Sequence, residues 1–123
     1  MKHYIYLLIA IISLVATSCD PNYDNKGYPK KVQFSENGGE KVIRGKECAL
    51  FITLDNGKER YNYRIIDEDF TEANLDWLTV RAKWPEESLT LIAAPKSEIG
   101  GSKEINIELL FGPEFGEIKV IRE

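Results

Sequence analysis

After residue 30, apolar and polar residues alternate along most of the chain, in short runs broken at close intervals by Gly, Pro, Asn and Asp. Leu78, Val80 and Ala82, interleaved with Thr79, Arg81 and Lys83, have the period of a half-buried strand, with Trp77 at its entrance. Large aromatics beside such a strand usually pack inward, so Trp77 is assigned to the core. Val32 and Phe34 form a short first strand that ends in the turn-forming residues 35–39, and Val42 and Ile43 continue the sheet. Leu89, Leu91 and Ala93 alternate in the same way, as do Ile105, Ile107 and Leu109, and Ile118 and Val120 close the pattern. The connections between these runs are 84–87, 94–101 and 111–116.

The best local signal is a hairpin around Asn56-Gly57, a dipeptide suited to a two-residue turn. In that register Ile52 faces Tyr61, Leu50 faces Tyr63 and Cys48 faces Ile65, which puts Cys48 towards the core. Thr53, Ala49, Arg60, Asn62 and Arg64 take the other face, where Phe51 is the one large apolar residue. The acidic residues 67–72 lead into Trp77. Their spacing matches no EF-hand loop and lacks its Gly, so a solvated connection is preferred to a Ca²⁺ site. No stretch of the mature chain sustains a helical period. About eight short strands with frequent turns therefore predict an all-β, antiparallel β-sandwich.

The first residues do not belong to that domain. Lys2 and His3 precede an apolar run from Tyr4 to Val15, followed by Ala16-Thr17-Ser18-Cys19, which is the layout of an export signal. The run is too short to span a bilayer as a mature helix, which takes roughly 20 apolar residues. The small residues before Cys19 resemble the lipobox of bacterial lipoproteins, in which cleavage leaves the Cys first in the chain and acylated. The expected organisation is a signal peptide over 1–18, a lipidated Cys19 with a flexible tether over 19–30, and a sandwich domain over 31–123.

Processing would remove Lys2 and the only His, making the formal net charge of −4 one unit more negative. An acidic chain with no Lys/Arg cluster would be repelled by a phosphate backbone, so no nucleic-acid partner is expected. Without His, and with Cys48 as the only remaining thiol, Ser-His-Asp, Cys-His and His-ligated zinc sites are unavailable. Paired carboxylates could still serve a glycosidase, but a small sandwich offers little room for a deep cleft. No enzyme activity, cofactor or metal is expected.

From Phe34 onward, the order Phe, Gly38-Gly39, Asp76-Trp77-Leu78-Thr79-Val80, Leu89-Thr90-Leu91, Ala93-Ala94-Pro95, Ile105-Asn106-Ile107 and Ile118-Lys119-Val120 resembles a BACON domain. This family is named for Bacteroidetes-associated, often N-terminal carbohydrate-binding modules. The resemblance implies an immunoglobulin-like sandwich and carbohydrate binding as a class. The segment from Gly39 to Trp77 is longer than usual by roughly one hairpin. The matched positions are core and turn residues, so no family binding residue carries across.

Three roles remain in view: a glycan-binding envelope lipoprotein anchored through Cys19, a spacer or protein-partner lipoprotein, and, distantly, an enzyme. An outer-membrane location follows the resemblance, with exposure at the cell surface as one outcome. Counting strand reversals places the turns at Asn56-Gly57, Trp84-Pro85 and 111–115 at one pole. The expected ligand contacts there are Trp84, Phe111 and Phe115, with Asn56, Glu86 and Glu114 as polar neighbours. If residues 37–39 also reverse the chain, this pole points away from the membrane.

Overall fold

A computed structural model describes residues 25–123; the expected export signal, Cys19 and residues 20–24 of the expected tether lie outside the described residues. Nine strands follow a short 3-10 turn at Asn25–Gly27. They are β1 (Lys31–Phe34), β2 (Gly39–Arg44), β3 (Phe51–Asp55), β4 (Arg60–Arg64), β5 (Thr71–Leu75), β6 (Leu78–Ala82), β7 (Ser88–Ala93), β8 (Glu104–Leu110) and β9 (Phe115–Arg122). They form a five-stranded sheet in the order β1-β9-β8-β3-β4 and a four-stranded sheet in the order β2-β7-β6-β5. Neighbours pair antiparallel throughout except β1 with β9, which run parallel.

The architecture is the expected immunoglobulin-like sandwich. β2, β7 and β6 correspond to its B, E and D strands, and β9, β8 and β3 to G, F and C, with β4 beside C. The alternation marked in the sequence is what fills the space between the sheets. Ile52, Leu54, Leu78, Val80, Leu91, Ile105, Ile107, Leu109, Ile118 and Val120 are all essentially inaccessible. Trp77 joins them at 1% exposure. Its indole donates a hydrogen bond to the Ser102 carbonyl, satisfying the one polar atom this side chain brings into the core.

Four local expectations change. The 3–4 hairpin is closed by residues 56–59, with Asp55 paired to Arg60, Leu54 to Tyr61 and Ile52 to Tyr63. A two-residue turn of the expected type needs positive φ at both centres, and here Gly57 has it while Asn56 does not. The Asn56 side chain instead accepts from the amides of Lys58 and Glu59, at 2.9 and 2.7 Å, and caps a longer loop. The register moves by two residues, so the side chains within β3 and β4 keep their faces. Beyond Phe51 the alternation breaks, because the amides of Ile65 and Ile66 both converge on the Leu50 carbonyl. Ala49 is buried there, and Cys48 only half-buried at the edge of the core.

β5 is the second change. Its burial pattern, with Thr71, Ala73 and Leu75 inward and Glu72 and Asn74 outward, is that of a strand, but the acidic run before it reads as loop. Third, Val42 and Ile43 lie in β2, which belongs to the opposite sheet from β1. Fourth, residues 25–30 are part of the domain and not of a free tether. Asn25 is 2% exposed; its amide nitrogen donates to the carbonyls of Pro29 (3.1 Å) and Glu117 (2.8 Å), and its oxygen accepts from the Glu117 amide (2.7 Å).

These changes fix the two ends of the sandwich. Asn25–Gly27, the turn at 111–114 and the connections 45–50, 66–70 and 83–87 gather at one end, here the proximal pole. The turns 35–38, 56–59 and 76–77 and the loop 94–103 gather at the other, the distal pole.

Candidate functional site

The outer face of the five-stranded sheet carries an open, partly apolar groove. Strand pairing sets its outward residues in rows across β4, β3, β8 and β9. Arg64, Phe51, Leu110 and Phe115 form the row nearest the proximal pole, followed by Asn62, Thr53, Glu108 and Glu117, then Arg60, Asp55, Asn106 and Lys119. The first row is apolar in its middle and at its β9 end. Phe51, Leu110 and Phe115 are 37%, 41% and 57% exposed, and the next two rows beside them are polar. They line an open groove of about 470 Å³, and Thr53, Arg60, Asn62 and Glu108 form its polar side.

That polar side is held in place before any ligand arrives. The Arg60 guanidinium bridges Asp55 (3.1 Å) and both carboxylate oxygens of Glu108, one at 3.1 Å and the other closer. The paired geometry fixes the plane of both groups, and the Glu108 hydrogen bond in turn raises the guanidinium pKa. The Thr53 hydroxyl bonds the Asn62 side-chain oxygen. The Asn62 amide nitrogen has no partner among the described residues, so it remains a donor at the groove wall. Phe51, Leu110 and Phe115 stay on the surface because β3, β8 and β9 already fill the core with the residues on either side of them.

The residues expected to share one pole are dispersed. Phe115 lies in the sheet-face groove. Trp84 and Phe111 meet at the proximal pole in a separate hollow of about 390 Å³ beside Cys48 and Lys46. Phe111 is a core residue there, 9% exposed and stacked on Tyr28 with ring centres 6.0 Å apart. Burial raises the Cys48 thiol pKa, and Glu87 and Glu86 add to the shift. Glu114 pairs with Lys26 at 2.8 Å. Glu86 borders a hollow on the four-stranded sheet with Phe70 and Arg81.

Asn56 is at the distal pole, where its amide donates to Asp76 at 3.1 Å, so it is a loop anchor and not a neighbour of the aromatics. The reason is β5: one additional strand between Asn56 and Trp84 reverses which end each later turn occupies. Residues 35–38 likewise turn the chain at the distal pole, so the pole with Trp84 and Phe111 is the one where Asn25 enters, contrary to the orientation expected. The groove itself was half visible in the sequence, since Phe51 stood out as a large apolar residue among Thr53, Arg60 and Asn62. The other half, Leu110 and Phe115, comes from strands distant in sequence.

Among the described residues, no group of three or more His, Cys, Asp or Glu could hold a metal ion. No described helix is long and apolar enough to cross a membrane.

Fold and groove together define an all-β sandwich domain with an open, aromatic-bearing sheet face. No protein-family model matches the chain, and no curated protein matches it. Among solved structures, the NMR structure of a protein from Bacteroides thetaiotaomicron is similar, with a TM-score of 0.47 and 15% identity, covering 79% of this chain and 82% of that one.

Proposed function

We propose that this chain is a non-catalytic binding domain of the bacterial cell envelope, anchored through an acylated Cys19, that takes carbohydrate on the outer face of its five-stranded sheet. The observation that carries this is the strip Phe51-Leu110-Phe115 set against the prearranged polar groups of Arg60, Asn62 and Glu108. Sugar rings present an apolar face and a rim of hydroxyls. They suit a surface that pairs aromatic rings with fixed amide, carboxylate and guanidinium groups. The BACON-like order of residues and the lipobox-like Ala-Thr-Ser-Cys support the same role and an outer-membrane location.

The test is a glycan array probed with the purified protein and with Phe51→Ala and Phe115→Ala. Wild-type binding that both variants weaken, at unchanged melting temperature, is the expected result. Absence of glycan binding, with an envelope protein captured instead through the same residues, would favour the protein-partner role. Metabolic labelling with an alkyne fatty acid should tag the wild type and not Cys19→Ala; equal labelling of both would remove the anchor.

A further inference from the structure

Resting on the carbohydrate reading of this groove, we infer that its ligand is a linear, uncharged glycan lying across the strands, with alternate sugars stacked on Phe51 and Phe115. Phe51 pairs with Leu110, and Leu110 with Phe115, so the two rings stand on β3 and β9 with only β8 between them. Neighbouring strands are about 4.8 Å apart, which sets the rings roughly 10 Å apart along a line perpendicular to the strands. Flat two-fold ribbons of β-1,4-linked sugars present the same ring face at every second unit, a repeat close to that spacing. Leu110 lies between the two rings and continues the platform under the intervening sugar. The strip is open at the β4 side, because β4 is an edge strand, so a chain seated on the two rings can extend past Phe51 there.

Charge on this face selects against acidic sugars. Arg60 is held by Asp55 and Glu108, Arg64 has Asp67 at 3.7 Å, and Lys119 has Glu104 at 3.5 Å. Among the described residues, every cation in the three rows across β4, β3, β8 and β9 has a carboxylate partner, and Lys31, which continues the third row on β1, lies outside the groove lining. A uronic acid, sialic acid or sulfate would find no spare guanidinium at the groove, whose one lining cation, Arg60, is already held by two carboxylates. Hydroxyls, by contrast, find the Asn62 amide in the second row and the outer edges of the Arg60–Glu108 pair, which joins the second row to the third.

The experiment is a titration of the full chain with three neutral series, β-1,4-linked glucose, mannose and xylose from one to six units. A panel of short branched and of sialylated or sulfated glycans serves as comparison. In at least one linear series, affinity should climb between two and four units and then level off. Phe51→Ala and Phe115→Ala should each flatten that climb, losing roughly tenfold on the tetrasaccharide while barely changing the disaccharide. Two results would overturn the inference while leaving the carbohydrate role standing: affinity independent of chain length, or strongest binding to acidic or branched glycans. No binding to any glycan would overturn both.

Discussion

Arg122 shows how much one side chain can decide. It is 3% exposed, its guanidinium carbon lies 4.8 Å from the centre of the Trp77 ring, and it donates to the carbonyls of Ala94 (2.7 Å) and Gly100 (3.0 Å). Burial lowers its pKa, and Asp76 works in the opposite direction. The residue joins the end of β9 to the distal loop and covers the core tryptophan. Arg122→Leu removes two charge-assisted hydrogen bonds, to the half-buried Ala94 and the exposed Gly100, so a loss of about 2 kcal/mol is expected in urea unfolding. Arg122→Lys should not restore it, since a lysine cannot span both carbonyls in one plane. Trp77→Ala should cost roughly 3 to 5 kcal/mol through the cavity it opens. Wild-type stability in either the Leu or the Ala variant would contradict this account of the distal core.

Cys48 makes a pH prediction at the same scale. Its thiol pKa is raised by burial and by nearby glutamates, and burial also pushes the Tyr28 phenol upward. Both groups favour their neutral forms in the fold. Their contribution is therefore complete below the unfolded pKa values, about 8.5 for Cys and 10 for Tyr, and is lost as pH rises through the higher folded values. Stability should decline on the alkaline side, and less steeply in a Cys48→Ala, Tyr28→Phe double variant. Native Cys48 should also react slowly with thiol reagents until the protein unfolds. Alkaline curves that superimpose would show that neither group contributes.

At the scale of elements, the Asn25 segment matters as much as any strand. Its side-chain amide exchanges a donor and an acceptor with the Glu117 backbone, as a peptide group in a neighbouring strand would, and so continues the β1–β9 pairing towards the proximal pole. Gly116 leaves the room: a Cβ there would lie 2.5 Å from the Asn25 oxygen and 3.3 Å from the Phe111 ring. Gly116→Ala should displace the segment and expose the Glu117 amide to hydrogen exchange. Asn25→Gly, which tolerates the positive φ of 58° at this position but removes the amide, should lose roughly 1 to 3 kcal/mol. An unchanged Glu117 exchange rate in both variants would mean that the segment is not held as described.

For the whole molecule, the consequence is orientation. With Cys19 acylated as proposed, six residues reach from it to Asn25, at most about 20 Å of chain. The proximal turn at 111–114 would then face the bilayer, and the 56–59 loop would point away. In lipid nanodiscs, a probe on Gly112→Cys should be quenched by lipid-borne nitroxide more strongly than one on Gly57→Cys, each in a Cys48→Ala background. Equal quenching would place the domain on its side. The groove opens on the flank of the sandwich, so a ligand crossing the strands would run roughly parallel to the membrane plane.

Taken alone, the sequence determined the fold class, most strand positions and the core, because side-chain alternation at period two is a local property that each segment carries with it. It also carried the face of Phe51, since a register error of two residues leaves faces untouched. Tertiary structure decided the loop around Asn56, where side-chain capping outcompeted the two-residue turn. It also decided the status of β5, whose few small apolar residues become a strand only by pairing with β6. From β5 followed the end of the molecule to which each turn belongs, and with it the separation of Asn56 from Trp84 and Phe111. The groove depended on tertiary structure for the same reason: Phe51, Leu110 and Phe115 come together only when β3, β8 and β9 pair, and pairing between distant strands leaves no periodic trace in any one of them.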